Sequence, residues 1–197
     1  MEIVDRKELR YMPILNLEIR NRDDTQKMTV AGYAVKFNER SRLLYDEFFE
    51  KVAVGAFAKS LEQNTIKALW DHNTNLVLGS TKSQTLRIKE DDIGLYFELD
   101  LPDTETGRNA YESISRGDVD GVSFGFNVRA DSWEYIKEED IYVRTLLDID
   151  LVEISPTPFP AYETSEVGKR SLEQFKNQGN NQKEAEMLKV KIKLLEI

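Results

Sequence analysis

The sequence predicts a β-rich α+β fold: an antiparallel β-barrel surrounded by helices, with a charged helical tail at the C-terminus. Most of the first 168 residues fall into short segments in which apolar and polar residues alternate, as in strands with one buried face. Only two segments among them have the spacing of a helix. Many short, closely spaced strands with few helices favour a closed or nearly closed barrel, with the helices packed outside it.

The predicted strands begin after residues 1–12, which form a flexible, charged lead-in. Ile14–Arg20 and Lys27–Phe37 are separated by the polar turn Asn21–Asp24, a pattern that predicts a hairpin. Gly55–Gln63 has the pattern of a short helix. The other strands predicted in this half of the chain are Phe48–Val52, Ile66–His72, Leu76–Ser80, Thr85–Lys89 and Gly94–Leu101.

A second helix is predicted from Thr104, a residue type that caps helix N-termini, to about Arg116, with Gly117 ending it. Two strands follow this helix. The first contains Ser123. The second, Ile141–Ser155, is long and ends where a proline-rich stretch begins, because proline cannot continue a strand ladder.

Residues 13–168 are predicted to form one domain, large enough to bury a single hydrophobic core. Residues 169–197 form a separate tail, in which a polar linker leads to a Lys/Glu-rich amphipathic helix over Glu184–Ile197. Leu188, Ile192 and Leu195 lie on one side of that helix and could seed association. We therefore expect a homo-oligomer.

The composition argues against several functional classes. The 27 basic and 36 acidic side chains give a net charge of −9, and no Lys/Arg-rich run is present, which disfavours direct binding to nucleic acid. The chain has no cysteine, so disulfides and thiolate metal sites are excluded. No apolar run reaches the roughly 18 residues that span a bilayer. Residues 1–7 have no secretory or transit pattern, so a soluble intracellular protein without a membrane partner is expected.

The strand around Ser123 combines large apolar side chains on one face with very small ones on the other. The apolar face carries Val122, Phe124, Phe126 and Val128. On the opposite face Ser123 lies between Gly121 and Gly125, which suits a nucleophile that a substrate backbone must reach. The same pattern is typical of a strand packed closely against a neighbour, with the serine as a small filler.

His72 is the single histidine of the chain. On its predicted strand it shares a face with Ala68 and Trp70, so the imidazole would continue a buried row where the strand ends. Histidine is the side-chain type that suits a general base for a serine hydroxyl, although a lone histidine is also commonly a core or surface residue. A metal-dependent hydrolase using His72, Asp71 and other acids is a further alternative. Without cysteine, such a site would suit Mg²⁺ or Ca²⁺ better than Zn²⁺.

Glu153 is the third candidate. On the predicted strand it follows Leu147, Ile149 and Leu151 on one face, and a carboxylate in an apolar row costs several kcal/mol unless a partner satisfies it. The partner could be the ring N–H of His72, held in the tautomer whose other nitrogen accepts a serine proton. Glu153 could instead pair with a lysine or arginine, or lie in water at a frayed strand end.

Three motifs in this order resemble the prohead maturation proteases of tailed bacteriophages with the Hong Kong 97 type of capsid. They are Trp70-Asp71-His72, the strand Gly121–Phe126, and Glu153-Ile154-Ser155-Pro156 leading to Phe159–Tyr162. Gly32–Phe37 and Gly55–Phe57 are also similar to that family. The resemblance covers about residues 27–167 and leaves out the tail.

The resemblance implies a serine endopeptidase with a fold related to the herpesvirus capsid protease, a β-barrel surrounded by helices. Such enzymes act inside the immature capsid, in the cytoplasm of the bacterial host. They cleave the scaffolding segment from the major capsid protein and then digest themselves. No cofactor or metal is implied, and the herpesvirus relatives work as dimers.

Carried over by position, the resemblance makes Ser123 the nucleophile and His72 the general base. The herpesvirus relatives use a second histidine as the third residue, and this chain has none. Glu153 is assigned as the orienting acid, with Asp71 and Asp150 as alternatives. A non-enzymatic capsid assembly or scaffolding module, in which Ser123 is only a packing residue, is the competing function.

Overall fold

The structure, a computed structural model, describes residues 7–22, 27–159 and 167–179. By its internal contacts the chain divides into residues 1–164 and 165–197. In the second unit, residues 167–179 form a helix. The predicted helix Glu184–Ile197, most of the lead-in and the centre of the first hairpin turn lie outside the described residues. Within the described part, no helix is both long and apolar enough to cross a membrane.

The described part of the first unit contains ten strands and two helices. The helices are α1 (Ala58–Gln63) and α2 (Glu105–Ser115). The strands are β1 (Glu8–Pro13), β2 (Leu15–Arg22), β3 (Lys27–Lys36), β4 (Phe48–Val52), β5 (Lys67–Trp70), β6 (Asn73–Ser80), β7 (Leu86–Glu90), β8 (Gly94–Asp100), β9 (Gly121–Ile136) and β10 (Ile141–Thr157).

These strands form two sheets. The first has the order β1-β9-β10-β5-β6, with β4 also pairing with β10, and the second has the order β2-β3-β8-β7. Most neighbouring strands are antiparallel, but β10 runs parallel to both β4 and β5. The prediction of a β-rich fold is confirmed. Closure into a barrel is not confirmed, since the two sheets of the described part remain separate.

One hydrophobic core contains residues of both sheets. Val122, Phe124 and Phe126 of β9 are buried in it, as the alternation around Ser123 predicts, and Val128 packs against it. Ala110 and Ile114 of α2 are buried in the same core. The predicted cap of α2 is present, because the Thr104 side chain accepts a hydrogen bond from the Gly107 N–H at 3.2 Å.

A cluster of buried ion pairs ties β1 into the first sheet. Arg10 donates to Glu50 at 2.7 Å and to Glu8 at 2.6 Å, and Arg144 donates to Glu8 at 3.1 Å and to Glu50 at 3.0 Å. Arg144 also donates to Asp131 at 2.7 Å. We call these five residues the buried ion cluster. Residues 8–12, expected in the lead-in, are therefore part of a strand whose charged side chains pair with Glu50 of β4 and Arg144 of β10.

Candidate functional site

Ser123 lies inside the first sheet rather than at an edge. On β9 it is directly opposite Tyr11 of β1 on one side and Ser155 of β10 on the other. Because β9 alternates strictly here, Ser123 shares with Gly121 and Gly125 the face opposite to the core. Residues that are opposite each other in a sheet project to the same face, so Ser155 lies on this face as well. Ser123 is fully buried.

His72 lies in a turn, and the predicted strand Ile66–His72 is wrong at its end. β5 ends at Trp70, which pairs with Asn73 of β6 across the two-residue loop Asp71-His72. Asp71 and His72 have φ values of 49° and 58°, the left-handed backbone of a type I′ hairpin turn. His72 therefore does not continue the row of Ala68 and Trp70. The turn places the His72 ring beside Glu153 of β10 instead.

Glu153 also differs from the prediction, because it does not share a face of β10 with Leu151. Leu151 is opposite Phe126 and Glu153 is opposite Gly125, with a β-bulge between them. Phe126 and Gly125 lie on opposite faces of β9, so the bulge places Leu151 in the core and Glu153 on the face of Ser123. The predicted shared face of Leu147, Ile149, Leu151 and Glu153 is therefore wrong, and Leu147 is exposed.

The Glu153 carboxylate has a partner on each oxygen. Its Oε1 lies 2.7 Å from His72 Nδ1 and 3.0 Å from Lys7 Nζ, and its Oε2 accepts a hydrogen bond from Ser155 Oγ at 2.6 Å. The side chain is buried. Burial by itself would raise the pKa of Glu153, but the hydrogen bonds from His72 and Ser155 and the charges of His72 and Lys7 outweigh it, so this pKa lies below its ordinary value.

The tautomer of His72 follows from this contact. An ionised carboxylate only accepts hydrogen bonds, so whenever the ring carries a single proton, that proton belongs on Nδ1 and the lone pair on Nε2. Among the side-chain atoms of the described residues, His72 Nε2 and Ser123 Oγ are the two that are buried without a hydrogen-bond partner. His72 Nε2 and Ser123 Oγ therefore make no hydrogen bond to each other. The structure joins His72 to Glu153, and Ser123 lies on the same face as Glu153 without bonding to the imidazole.

The two alternative acids have other partners. Asp71 accepts a hydrogen bond from Thr157 Oγ1 at 2.6 Å. Asp150 accepts from Asn64 at 2.5 Å and from Arg129 at 2.9 Å. Of the three candidate acids, Glu153 is the one whose carboxylate contacts the His72 ring.

The two glycines on either side of Ser123 leave room for the side chains of Lys7, Tyr11 and Glu153. A Cβ on Gly121 would collide with the Tyr11 ring, and one on Gly125 would collide with Lys7 and with the Glu153 carboxylate. The sequence patterns did not indicate Lys7, Tyr11 or Ser155. The position of Ser155, two residues after Glu153 on one strand, was the signal that could have indicated it.

The described residues contain no group of three or more histidine, aspartate or glutamate side chains placed to hold a metal ion.

Comparisons with known proteins identify a family. The family model described as caudovirus prohead serine protease matches residues 15–178. No curated protein and no solved structure matches the chain significantly. The resemblance that the three motifs indicate is therefore confirmed at the level of the family.

Proposed function

Because the chain belongs to the caudovirus prohead serine protease family, it is a serine endopeptidase of phage capsid maturation, and we propose that Ser123, His72 and Glu153 form its catalytic triad. The observation that carries this proposal is the 2.7 Å contact between His72 Nδ1 and Glu153 Oε1. It leaves Nε2 available as an acceptor on the side of the sheet where Ser123 presents its hydroxyl.

The reaction follows from these roles. Ser123 Oγ attacks the carbonyl carbon of the scissile peptide bond while His72 Nε2 takes the hydroxyl proton. The imidazolium that forms is stabilised by Glu153 through Nδ1. His72 then donates the proton to the leaving amine as the C–N bond breaks. A water molecule, activated by the same imidazole, hydrolyses the acyl-enzyme and regenerates Ser123. Backbone N–H groups would stabilise the oxyanion of the tetrahedral intermediates.

The proposed substrate is the major capsid protein of the phage, cleaved in its scaffolding segment inside the prohead. The protease itself is a proposed second substrate, digested after the capsid protein has been cleaved. The family description supports a role at the prohead, and both substrates extend that description. The competing assembly-module function does not account for a match to a protease family, or for a buried serine hydroxyl and a buried imidazole Nε2 that both lack a hydrogen-bond partner among the described residues.

Cleavage of the capsid protein in a co-expressing cell tests this proposal. Ser123→Ala should abolish processing of the capsid protein and of the protease itself. Ser132→Ala is a matched control, because Ser132 lies at the far end of the same strand, opposite Thr145. Processing at the wild-type rate by Ser123→Ala would end the proposal.

A further inference from the structure

We propose that Ser155 is a positioning residue of this site: its hydroxyl fixes the Glu153 carboxylate and connects it to the main chain of His72. This inference rests on the proposed triad and adds to it a fourth side chain that makes no bond to the substrate.

The first observation is the hydrogen bond from Ser155 Oγ to Glu153 Oε2, at 2.6 Å. Glu153 Oε1 is the atom that faces His72 Nδ1, so the two oxygens are held by different partners. A carboxylate held at both oxygens cannot rotate away from the imidazole without breaking a buried hydrogen bond and leaving a polar group unsatisfied. Ser155 and Glu153 are both almost fully buried, so water does not replace the lost donor readily.

The second observation connects Ser155 to the turn that carries the base. The main-chain N–H of His72 donates to Ser155 Oγ at 3.3 Å. The neighbouring residues add two further links between the turn and β10, from the Asp71 N–H to the Pro156 carbonyl at 3.2 Å and from Thr157 Oγ1 to Asp71 at 2.6 Å. Ser155 is the member of this set that contacts both the acid and the base.

The same contacts separate the roles of the two serines that are opposite each other. Ser155 gives its single hydroxyl proton to Glu153 and accepts from His72. The Ser123 hydroxyl has no partner among the described residues. A hydroxyl whose proton is donated to a buried carboxylate cannot give that proton to the base. Ser155 therefore positions Glu153 and His72, and Ser123 is the serine that reacts.

The test measures the cleavage rate of purified capsid protein at several substrate concentrations. Ser155→Ala should lower kcat by about 10- to 100-fold, the order of loss seen when a hydrogen-bond partner of a metal-ligating side chain is removed, with KM changed by less than about threefold. Ser155→Thr keeps the hydroxyl and should recover most of the rate. Ser60→Ala is the matched control, because Ser60 is equally buried and bonds to β10 at Leu151, away from His72.

A spectroscopic measurement separates positioning from simple packing. The chain has a single histidine, so ¹⁵N signals of labelled imidazole belong to His72 alone. In Ser123→Ala protein, which should not digest itself, the Nδ1–H tautomer should dominate. Adding Ser155→Ala should shift the signals toward a mixture of the two tautomers, whereas adding Ser60→Ala should not.

The outcomes distinguish this inference from the proposed triad. An unchanged kcat and tautomer in Ser155→Ala, with Ser123→Ala inactive, would overturn the role of Ser155 and leave the triad standing. Equal losses in Ser155→Ala and Ser155→Thr, with an unchanged tautomer, would reduce Ser155 to a packing residue. Full activity of Ser123→Ala would instead remove the triad itself.

Discussion

At the scale of single residues, Glu153 is the side chain on which the proposed triad depends most. Its carboxylate is buried, contacts the imidazole and has Lys7 as a counter-charge. An isolated charge in this position would be costly, and the donors on both oxygens remove most of that cost. The carboxylate therefore stays ionised at neutral pH, as stabilisation of an imidazolium requires.

Replacing the charge of Glu153 should cost activity more than stability. Glu153→Gln keeps the shape of the side chain but cannot stabilise the imidazolium, so kcat for capsid protein cleavage should fall by about 10²- to 10⁴-fold. Asp150→Asn is the control, because Asp150 bonds to Asn64 and Arg129 rather than to His72. A harmless Glu153→Gln with an inactive Asp150→Asn would show that the wrong acid has been assigned.

The lowered pKa of Glu153 also predicts how its contribution to stability depends on pH. A carboxyl whose pKa is lower in the folded than in the unfolded chain stabilises the fold above its unfolded value, close to the reference 4.5, and loses this effect as pH falls through the folded pKa. As pH falls from neutral through 4.5 and then through the lower pKa of the folded protein, the free energy of unfolding of the wild type should therefore decrease relative to that of Glu153→Gln. Urea denaturation across that range measures it, and a constant difference would contradict the assignment.

At the scale of elements, β9 is the strand whose features were best predicted from the sequence. Its alternation gave the core face and the face of Ser123 correctly, because the register shift opposite Phe126 and Gly125 comes from an extra residue on β10 and leaves β9 itself regular over residues 121–128. The bulge before Glu153 and the turn at His72 could not be predicted, since both depend on pairing with other strands. Strand parity therefore selected the acid that contacts His72, but on an incorrect argument.

Gly125 should be required for the placement of Glu153. The Cβ of Gly125→Ala would collide with the carboxylate and with Lys7, and displacing a catalytic group by about 1 Å can cost about 10²-fold in rate. Adding Lys7→Ala removes one collision and leaves the other. Cleavage assays should show a low kcat in both the single and the double variant. Recovery in the double variant would mean that only the lysine was displaced.

At the scale of the whole molecule, the buried ion cluster joins the N-terminal strand to the sheet that carries the site. The composition and alternation indicated many strands, and this much is confirmed. They did not indicate two separate sheets, the parallel pairs of β10 or the charges beneath β1, because alternation shows which residues are buried and not which strands are neighbours.

Removing one member of the buried ion cluster should destabilise the protein strongly. Arg144→Ala leaves Glu8 and Glu50 with less compensation in a buried position and should lower the free energy of unfolding by about 3–5 kcal/mol. Arg87→Ala breaks ion pairs with Glu98 and Asp100 at a more exposed position and should cost about 0–1 kcal/mol. Denaturant titration of both variants measures the contrast, and equal losses would contradict it.

Covalent labelling with a serine-reactive phosphonate tests the proposed triad most directly. Peptide mass mapping of the labelled protein should find the phosphonate on Ser123, at one group per chain, and His72→Ala should prevent the labelling. Attachment to Ser155 or another serine, or equal labelling of Ser123 in the His72→Ala protein, would contradict the account.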